Sequence, residues 1–381
     1  MSMRYTQLTA DAVDRVLDDW AILGAGAGVA ALLPEAEKDR LPMLQAACRQ
    51  RGLALVGGIF PALVRDGGFV SDGAWLFFFE RMPPHALLPV LDPAGPLVER
   101  IVAAIREGLR SYAAEADKPT LFLCFDGLVP NIASVLDGVY LEIANRVEYS
   151  GVNAGSETFQ PMACLFDAHR VIGNAVSILL LPAAFAPVLA HGFRCPQRTM
   201  CATSTDGNRI AMIDWRPAFE VYQEIVRSEY GIELTRDNFY EYAVHFPFGI
   251  LRAGGDVVVR IPVGLSEDGS LHCVGEIPEN AMLVLLRAPS VVDGDCVGRL
   301  GAGLKSGAGF QAGDRLLTFY CAGRRMHLGS DASRELGALQ AATGASEMAG
   351  ALSLGEIGST VRHAYPMFHN AALLCAAWER S

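Results

Sequence analysis

The segment from residue 350 to residue 378 constrains the fold more than any other part of the chain. It consists of two apolar runs rich in small residues, 350–358 and 371–378, which flank a polar connector. Two short apolar runs joined in this way predict a pair of strands that closes the chain as a hairpin. Such a pair would bring the polar groups of Glu356, His369 and Asn370 together.

Two stretches of the first half share one order of elements, namely a helix, a glycine-marked strand, a turn and an apolar strand. The first copy covers residues 39–79 and the second covers residues 131–181. We predict that the two copies are superposable, with residues 53–60 and 147–153 in equivalent strands. The closing segment repeats the same order a third time.

Strands that alternate with helices favour α/β layering, whereas strand–turn–strand ends favour antiparallel pairs. The predicted fold class is therefore α/β to α+β, in two halves of mixed, largely antiparallel sheets layered with helices, with internal repeats. A chain of 381 residues exceeds what one core usually holds, and prolines interrupt the apolar stretch 183–198. We predict two domains, residues 1–190 and residues 191–381. Glycines 57, 58, 151 and 155 mark places where the backbone approaches a neighbour or a ligand closely.

Composition excludes several classes of function. The formal net charge is −11 and no cluster of Lys and Arg is present, which argues against nucleic acid and anionic membrane surfaces as partners. The longest apolar run, 176–190, contains two prolines and is shorter than the roughly 20 residues of a membrane-spanning helix. The nine cysteines are scattered without a Cys-x-x-Cys pair, and no signal peptide is apparent. We expect a cytoplasmic protein with reduced, buried thiols.

Catalytic motifs find little support in the sequence. Residues 24–29 superficially resemble a dinucleotide-binding glycine loop, but Val29 occupies the place of the final glycine. No nucleophile elbow, Walker loop or His-Glu-x-x-His motif occurs in the sequence. We therefore predict a protein that is not an enzyme, and a small-molecule enzyme that uses the interdomain cleft is the rival from another class.

Several segments, taken in their order and spacing, resemble the FIST proteins, a family of bacterial sensory modules that detect small molecules. They cover most of the chain and are residues 53–79, 149–156, 210–222, 246–250, 321–325 and the closing segment. The resemblance implies a FIST N-like domain followed by a FIST C-like domain, and a sensor of a small ligand rather than an enzyme.

Three departures from the family pattern imply a specialised ligand. Asp214 is followed by Trp215 where family members usually have Asp-Gly, His245 occupies a position expected to be apolar, and Ala371 stands where Thr is expected. The two sensory halves account for the chain, so we expect no fused kinase or cyclase output domain. Stand-alone FIST proteins resemble the haem-containing nitric-oxide sensors that regulate a histidine kinase in trans. This resemblance implies haem b, nitric oxide and a partner kinase, with a homo-oligomer left open. The alternative is a FIST sensor for an amino acid or a similar metabolite.

Haem requires an axial ligand, an apolar slot and cations for its propionates. His245 is the first candidate for the ligand, because apolar and aromatic residues surround it and Phe246 and Phe248 could line the slot. A hydrogen-bonded structural histidine is the alternative interpretation, since histidine is only intermediate in its tendency to be buried.

His191 is the second candidate for the axial ligand, because it lies at the junction of the two halves, where ligands often bind. Cys195 and Pro196 resemble the short Cys-Pro haem-regulatory motif, with an ordinary linker cysteine as the alternative. His369, together with His363 and Tyr365, could also line a site.

Further polar residues are candidates for lining a ligand pocket. Arg252 and Arg324 could pair with a carboxylate on a ligand, and on a predicted strand Arg324 would face the opposite side from its neighbour. Asn153, Ser156 and Glu356 follow or flank glycines and could donate or accept converging hydrogen bonds. Capping of tight turns explains these three residues almost equally well.

Overall fold

The computed structural model describes residues 2–21, 26–91, 95–112, 118–183, 185–252, 257–291, 295–307, 309–359 and 364–379.

The main body of the protein contains three repeats of one unit, in which a strand, a helix, a strand, one or two helices, a strand, a hairpin and a strand follow one another. Repeat 1 contains β1 (Ser2–Thr6), α1 (Ala10–Ala21), β2 (Gly28–Pro34), α2 (Leu41–Gln50), β3 (Ala54–Phe60), β4 (Leu63–Arg65), β5 (Gly68–Val70) and β6 (Ala74–Phe79). Repeat 2 contains β7 (His85–Pro89), α3 (Leu97–Leu109), β8 (Thr120–Asp126), α4 (Ile132–Ile143), β9 (Glu148–Ala154), β10 (Leu165–Asp167), β11 (Val171–Ile172) and β12 (Ala175–Leu181).

Repeat 3 begins with β13 (Val188–Ala190) and is then interrupted by an inserted module, residues 200–285. The module contains β14 (Met200–Asp206), β15 (Arg209–Ile213), β16 (Arg216–Pro217), α5 (Ala218–Tyr230), α6 (Phe239–Ala243), β17 (Phe248–Leu251), β18 (Val257–Arg260), β19 (Pro262–Leu265), β20 (Leu271–Cys273) and β21 (Met282–Leu285). Repeat 3 then resumes with α7 (Cys296–Gly307), β22 (Arg315–Cys321), α8 (Ala322–Leu328), α9 (Asp331–Thr343), β23 (Glu347–Ser353), β24 (Glu356–Gly358), β25 (Met367–His369) and β26 (Leu373–Glu379). The predicted domain boundary at residue 190 coincides with the end of β13. The division of the chain into two domains there stays a prediction.

Each repeat builds a six-stranded sheet with the same order. The three orders are β1-β6-β2-β3-β10-β11, β7-β12-β8-β9-β24-β25 and β13-β26-β22-β23-β4-β5. The two central strands of each sheet run parallel, because a helical crossover joins them, and the other pairs are antiparallel. The terminal hairpin of each sheet comes from another repeat. Repeat 2 supplies β10–β11 to the sheet of repeat 1, repeat 3 supplies β24–β25 to the sheet of repeat 2, and repeat 1 supplies β4–β5 to the sheet of repeat 3. The three repeats therefore form a ring around an approximate threefold axis.

Three matching backbone hydrogen bonds attach the exchanged hairpins and show which residues are equivalent. In each case the amide of a central strand donates to a carbonyl of the neighbouring repeat: Ile59 to Cys164 (2.8 Å), Asn153 to Gly355 (2.9 Å) and Leu352 to Ala62 (2.9 Å). Ile59, Asn153 and Leu352 thus occupy the same position in the three repeats.

One glycine per repeat makes the parallel pair possible. Gly57, Gly151 and Gly350 are equivalent, and a Cβ atom on them would lie 2.3, 2.1 and 1.7 Å from a carbonyl oxygen of the adjacent strand. No side chain fits at that distance, so the close approach predicted for Gly57 and Gly151 is confirmed.

The inner faces of the three sheets meet in a common core, and the helices cover the outer faces. Each sheet contributes a buried or half-buried aromatic ring, and the ring of Phe319 lies 6.0 Å from Phe60 and 5.7 Å from Phe122. The inserted module has its own antiparallel sheet and its own core, to which α5 contributes Tyr222 and Ile225. None of the helices within the described residues is long and apolar enough to cross a membrane.

The predicted fold class and the predicted repeats are confirmed, because β3 and β9 are equivalent strands in equivalent sheets. The predicted closing hairpin is wrong in its partners. The first apolar run contains the end of β23 and the whole of β24, and the second forms β26. Strands β23 and β26 lie on opposite sides of β22, and the hairpin partner of β24 is β25, which lies in the connector. The strand expected around Arg324 is also wrong, because β22 ends at Cys321 and α8 begins at Ala322.

Candidate functional site

A cavity of about 660 Å³ lies between the inserted module and helix α8 of repeat 3, and we call it the module cavity. Its lining combines two histidines, two arginines, aromatic rings and apolar groups. The residues are Arg194, Cys195, Pro196, Tyr230, Ile232, Tyr242, His245, Phe246, Arg287, Ala288, Pro289, Ser290 and His327. The volume falls within the range of about 300–1,000 Å³ that ligand pockets occupy.

Two histidines from different parts of the chain meet at this cavity. His245 follows α6, where its amide donates to the carbonyl of Tyr242, and His327 lies on α8. Their Nδ1 atoms are 2.6 Å apart and their ring planes are inclined by 70°. Burial lowers the pKa of both imidazoles below the ordinary value of 6.5, so both rings are neutral at pH 7.

The hydrogen-bond partners assign the tautomers of these two rings. Nε2 of His327 lies 3.2 Å from the carbonyl oxygen of Pro289, which can only accept, so this nitrogen carries the proton. Nδ1 of His327 is then an acceptor, and Nδ1 of His245 donates to it. Nε2 of His245 therefore keeps a free lone pair, which is the arrangement of an imidazole prepared to bind a metal.

Cations and aromatic rings complete the module cavity. Arg194 and Arg287 are exposed at its surface, and the guanidinium of Arg287 lies 5.8 Å from the ring centroid of Tyr230. Phe246 is buried beneath the cavity and stacks against Tyr230 at a centroid distance of 4.7 Å. The cavity thus offers an apolar aromatic wall next to positive charge.

A smaller cavity of about 240 Å³ lies between repeats 2 and 3 and the module, and we call it the repeat cavity. It is mostly apolar, with one carboxylate, one thiol and one amide in its lining. The residues are Glu157, Phe159, Tyr240, Val244, Ile261, Pro262, Val263, Val274, Cys321, Ala322, Gly323, Met326, Leu354 and Asn370.

A buried polar cluster adjoins the repeat cavity. Glu356 lies directly opposite His369 in the β24–β25 hairpin, and both side chains are fully buried. Glu356 accepts hydrogen bonds from the Ser353 hydroxyl (2.5 Å) and from the backbone amide of Ala372 (3.3 Å). Burial raises the pKa of Glu356 to about 8, so its carboxyl group is mainly protonated at pH 7.

Several atoms in and beside this cluster are buried without a hydrogen-bond partner. They are Oγ of Ser150, Oδ1 of Asn153, both ring nitrogens of His369 and Nδ2 of Asn370. Burial, with the positive charge of nearby groups, lowers the pKa of His369 well below 6.5, so the ring is neutral. Because most buried polar groups in native proteins are paired, this concentration of unpaired atoms makes the junction a candidate for a binding site.

Two of the candidate residues hold the structure together away from either cavity. Arg324 forms a buried ion pair with Glu335, with both side chains 2% exposed, and also donates to the carbonyls of His191 and Ala371. Nδ1 of His191 accepts a hydrogen bond from the amide of Phe193, and its ring centroid lies 6.1 Å from that of His369. His191 lines neither cavity.

Other candidates divide between the two cavities and the remainder of the fold. His245 and Phe246 line the module cavity, whereas Asn153, Glu356 and His369 belong to the region of the polar cluster. Phe248 is buried in the module core, Arg252 is exposed, and Ser156 bonds to the hydroxyl of Thr158 at 2.8 Å. The glycine loop at 24–29 and His363 fall wholly or partly outside the described residues.

His327 is a further residue of this site that has the character of a surface or turn residue when its sequence context is considered alone. It lies on α8 three residues after the buried Arg324, so it faces the protein interior on a similar side of the helix. Treating residues 321–325 as a strand hid this spacing. A helical interpretation would have placed His327 inward, but its pairing with His245 has no local sequence signal.

Comparison with known protein families matches two domains to this chain. The FIST N domain matches residues 31–216, and the FIST C domain matches residues 218–359. Residues 194–196 of the module cavity fall in the first match and its other lining residues fall in the second. No curated protein sequence matches the chain.

Proposed function

Since this chain belongs to the FIST-domain family, whose domains are associated with small-ligand sensing in signal transduction, we propose that it binds haem b and senses nitric oxide. His245 is the axial ligand in this proposal, and the module cavity is the haem site. The observation that carries the proposal is the free Nε2 lone pair of His245, held by the hydrogen bond between His245 and His327.

The donor groups of the module cavity fit this cofactor. Among the described residues, no three His, Cys, Asp or Glu side chains converge to hold a bare metal ion, whereas haem iron needs only one imidazole from the protein. Tyr230 and Phe246 supply an aromatic wall, and Arg194 and Arg287 supply charges suited to two propionates. Haem held by one imidazole would supply an iron centre that can bind a diatomic gas.

The protein residues position the ligand and connect it to the fold. His327 fixes the ring orientation and the tautomer of His245 by accepting a hydrogen bond from its Nδ1–H group, which also makes Nε2 a better donor to a metal. The hydrogen bond joins the inserted module to α8 of repeat 3. Helix α8 is in turn tied to α9 by the Arg324–Glu335 ion pair. A movement of His245 would thus reach repeat 3 through groups in direct contact, and we propose that a histidine kinase in trans detects that change.

Haem titration of the purified apoprotein tests this proposal. We expect one haem per chain, a Soret band, and a shift of that band when nitric oxide is added to the reduced protein. His245→Gly should weaken haem binding by about tenfold or more, and imidazole added to the solution should restore it, because the free base can occupy the vacated position.

His191→Ala is the matched variant, because it removes a buried histidine that lines neither cavity. Its haem affinity should equal that of the wild-type protein. The assignment of His245 would be refuted if His245→Gly had an unchanged Soret spectrum. It would also be refuted if His191→Ala lost haem binding while His245→Gly retained it. The proposed regulation of a kinase is tested separately. Autophosphorylation of a purified histidine kinase is measured in the presence of the haem-loaded protein, before and after nitric oxide is added.

A further inference from the structure

We infer that the repeat cavity is a second ligand-binding site, which takes a small molecule with an apolar body and an uncharged hydrogen-bonding head group such as an amide. This site is distinct from the module cavity, since the two share no lining residue. The inference does not depend on haem binding at His245.

The three repeats provide an internal comparison for the polar cluster. By the register of the exchanged hairpins, the pair Glu356–His369 in repeat 3 corresponds to two apolar pairs, namely Leu63–Val70 in repeat 1 and Leu165–Ile172 in repeat 2. The fold therefore does not require polar residues at these two positions. A fully buried carboxyl and imidazole cost more to bury than the apolar pair, so a binding role explains their presence better than packing does.

The same comparison applies to Asn153, whose equivalents are Ile59 and Leu352. Asn153 lies in repeat 2, but its backbone is bonded to repeat 3, because the amide of Leu354 donates to its carbonyl at 2.9 Å. Leu354 itself lines the repeat cavity. All three departures from apolar character thus occur at the junction between repeats 2 and 3, and Leu354 and Asn370 of this junction line the cavity.

The unpaired atoms at this junction specify the chemistry of the head group. Nδ2 of Asn370, in the lining of the cavity, is a donor. Behind the lining, Oδ1 of Asn153 is an acceptor and the neutral ring of His369 has one donor and one acceptor. Asn370 lines the cavity, and its Oδ1 already accepts from the amide of Ile261 at 3.2 Å, so only its NH₂ group remains available. A head group that both accepts and donates hydrogen bonds complements this set.

The charges near the cavity favour an uncharged head group. Glu157 is the one carboxylate among the described lining residues, and it is paired with Arg325 at 2.6 Å. No Lys or Arg is among the described residues of the lining, so a ligand carboxylate would find no cation among them. An ionic head group would therefore lose its hydration without gaining a partner of opposite charge.

The rim of the cavity accounts for the apolar body. Four of the large exposed apolar side chains of the protein lie here, namely Phe159 (41% exposed), Tyr240 (63%), Val263 (42%) and Met326 (62%). They come from repeat 2, the module and α8, so the opening is where three parts of the fold meet. Exposed apolar side chains gathered around a cavity are typical of a ligand entrance.

Isothermal titration calorimetry with four compounds of similar size tests the inference: hexanamide, hexanoate, hexylammonium and leucine. We expect saturable binding of hexanamide at pH 7, with an affinity about tenfold or more above that of each charged compound. Asn370→Ser copies the equivalent residue of repeat 1, Ser71, and should weaken hexanamide binding by about tenfold because it removes the amide donor.

The double variant Glu356→Leu, His369→Val copies the apolar pair of repeat 1 and serves as the second test. It should fold with unchanged or higher stability and bind hexanamide about tenfold more weakly, which separates a binding role from a structural one. His245→Ala is the control and should bind hexanamide as the wild type does, while the Asn370→Ser variant should keep its haem titration.

Three results would overturn the inference. They are the absence of saturable hexanamide binding up to its solubility limit, unchanged hexanamide affinity in Asn370→Ser, and tighter binding of leucine or hexanoate than of hexanamide. Tighter binding of leucine would instead identify the repeat cavity as an amino-acid site.

Discussion

The Nδ1 atoms of His245 and His327 lie 2.6 Å apart, although the two residues belong to different parts of the fold. His245 extends from the inserted module, and His327 lies on a helix of repeat 3. Because His327 accepts a hydrogen bond from Nδ1–H of His245, the nitrogen of His245 that is free to bind a metal is determined by a residue that does not itself bind the ligand. A single hydrogen bond therefore couples the proposed axial ligand to the body of the protein.

His327→Ala should lower haem affinity by about 10–100-fold, because loss of the acceptor releases both the orientation and the tautomer of His245. Haem titration followed at the Soret band measures the affinity, and the iron–histidine stretching frequency of the reduced protein should fall. His272→Ala is the matched control, since His272 lies on β20, pairs with the hydroxyl of Ser266 and lines neither cavity. Unchanged affinity and frequency in His327→Ala would show that His327 does not orient the ligand.

Glu356 should make the protein less stable as the pH rises from about 4.5 to about 8. Its pKa rises from 4.5 to about 8 on folding, chiefly through burial, so between these values the folded state holds a proton that the unfolded chain has released. The free energy of unfolding therefore falls with rising pH across this window. Cys321 and Arg324 also act on this carboxyl, and neither carries a pKa inside the window.

Urea unfolding at pH 5 and pH 8 measures this effect. In Glu356→Gln the difference in unfolding free energy between the two pH values should shrink, because the amide does not titrate. An equal difference in the variant and the wild type would assign the pH dependence to other groups.

Glu335→Gln should lower the free energy of unfolding by about 3–5 kcal/mol, since it leaves the guanidinium of Arg324 buried without a counter-charge. Arg299→Ala is the comparison, because its ion pair with Asp295 is 59% and 66% exposed and should contribute less than about 1 kcal/mol. Chemical denaturation of both variants measures the contrast. A similar decrease in the free energy of unfolding in the two variants would mean that burial does not make the Arg324–Glu335 pair more important for stability than an exposed ion pair.

Gly151→Ala should destabilise the fold by about 3 kcal/mol or more, because the new methyl group would lie 2.1 Å from the carbonyl oxygen of Leu123. Gly301→Ala, in α7, meets no atom within 4 Å and should stabilise the protein by about 0.5–1 kcal/mol. Thermal unfolding distinguishes the two. A well-folded Gly151→Ala variant with an unchanged melting temperature would contradict the close approach in the parallel pair.

Local sequence patterns predict elements well where burial and turn chemistry act within one segment. The pattern of residues 331–343 alone predicts a helix, which is α9. Pro217 and Gly231 predict a helix between them, which is α5, and Gly231 ends it in a left-handed conformation with φ of 69°. The repeat was visible for a similar reason, since Gly57 and Gly151 serve the same backbone contact.

The partners of these elements could not be predicted in the same way. The exchange of hairpins depends on pairings between distant repeats, and a run such as 350–358 carries no mark of which sheet it enters. The polar cluster was predicted in part, because Glu356 and His369 were expected to meet. His327 was missed, since only the tertiary fold brings it to His245.

The exchanged hairpins also have a consequence for how the chain reaches its native state. Val64 in β4 pairs with Gly350 in β23, so the first repeat lacks its native contacts there until residue 350 has left the ribosome. Contacts of such long sequence separation slow folding and leave strand edges open to wrong partners meanwhile. The ring of repeats is therefore expected to assemble late and in one cooperative step, rather than repeat by repeat during translation.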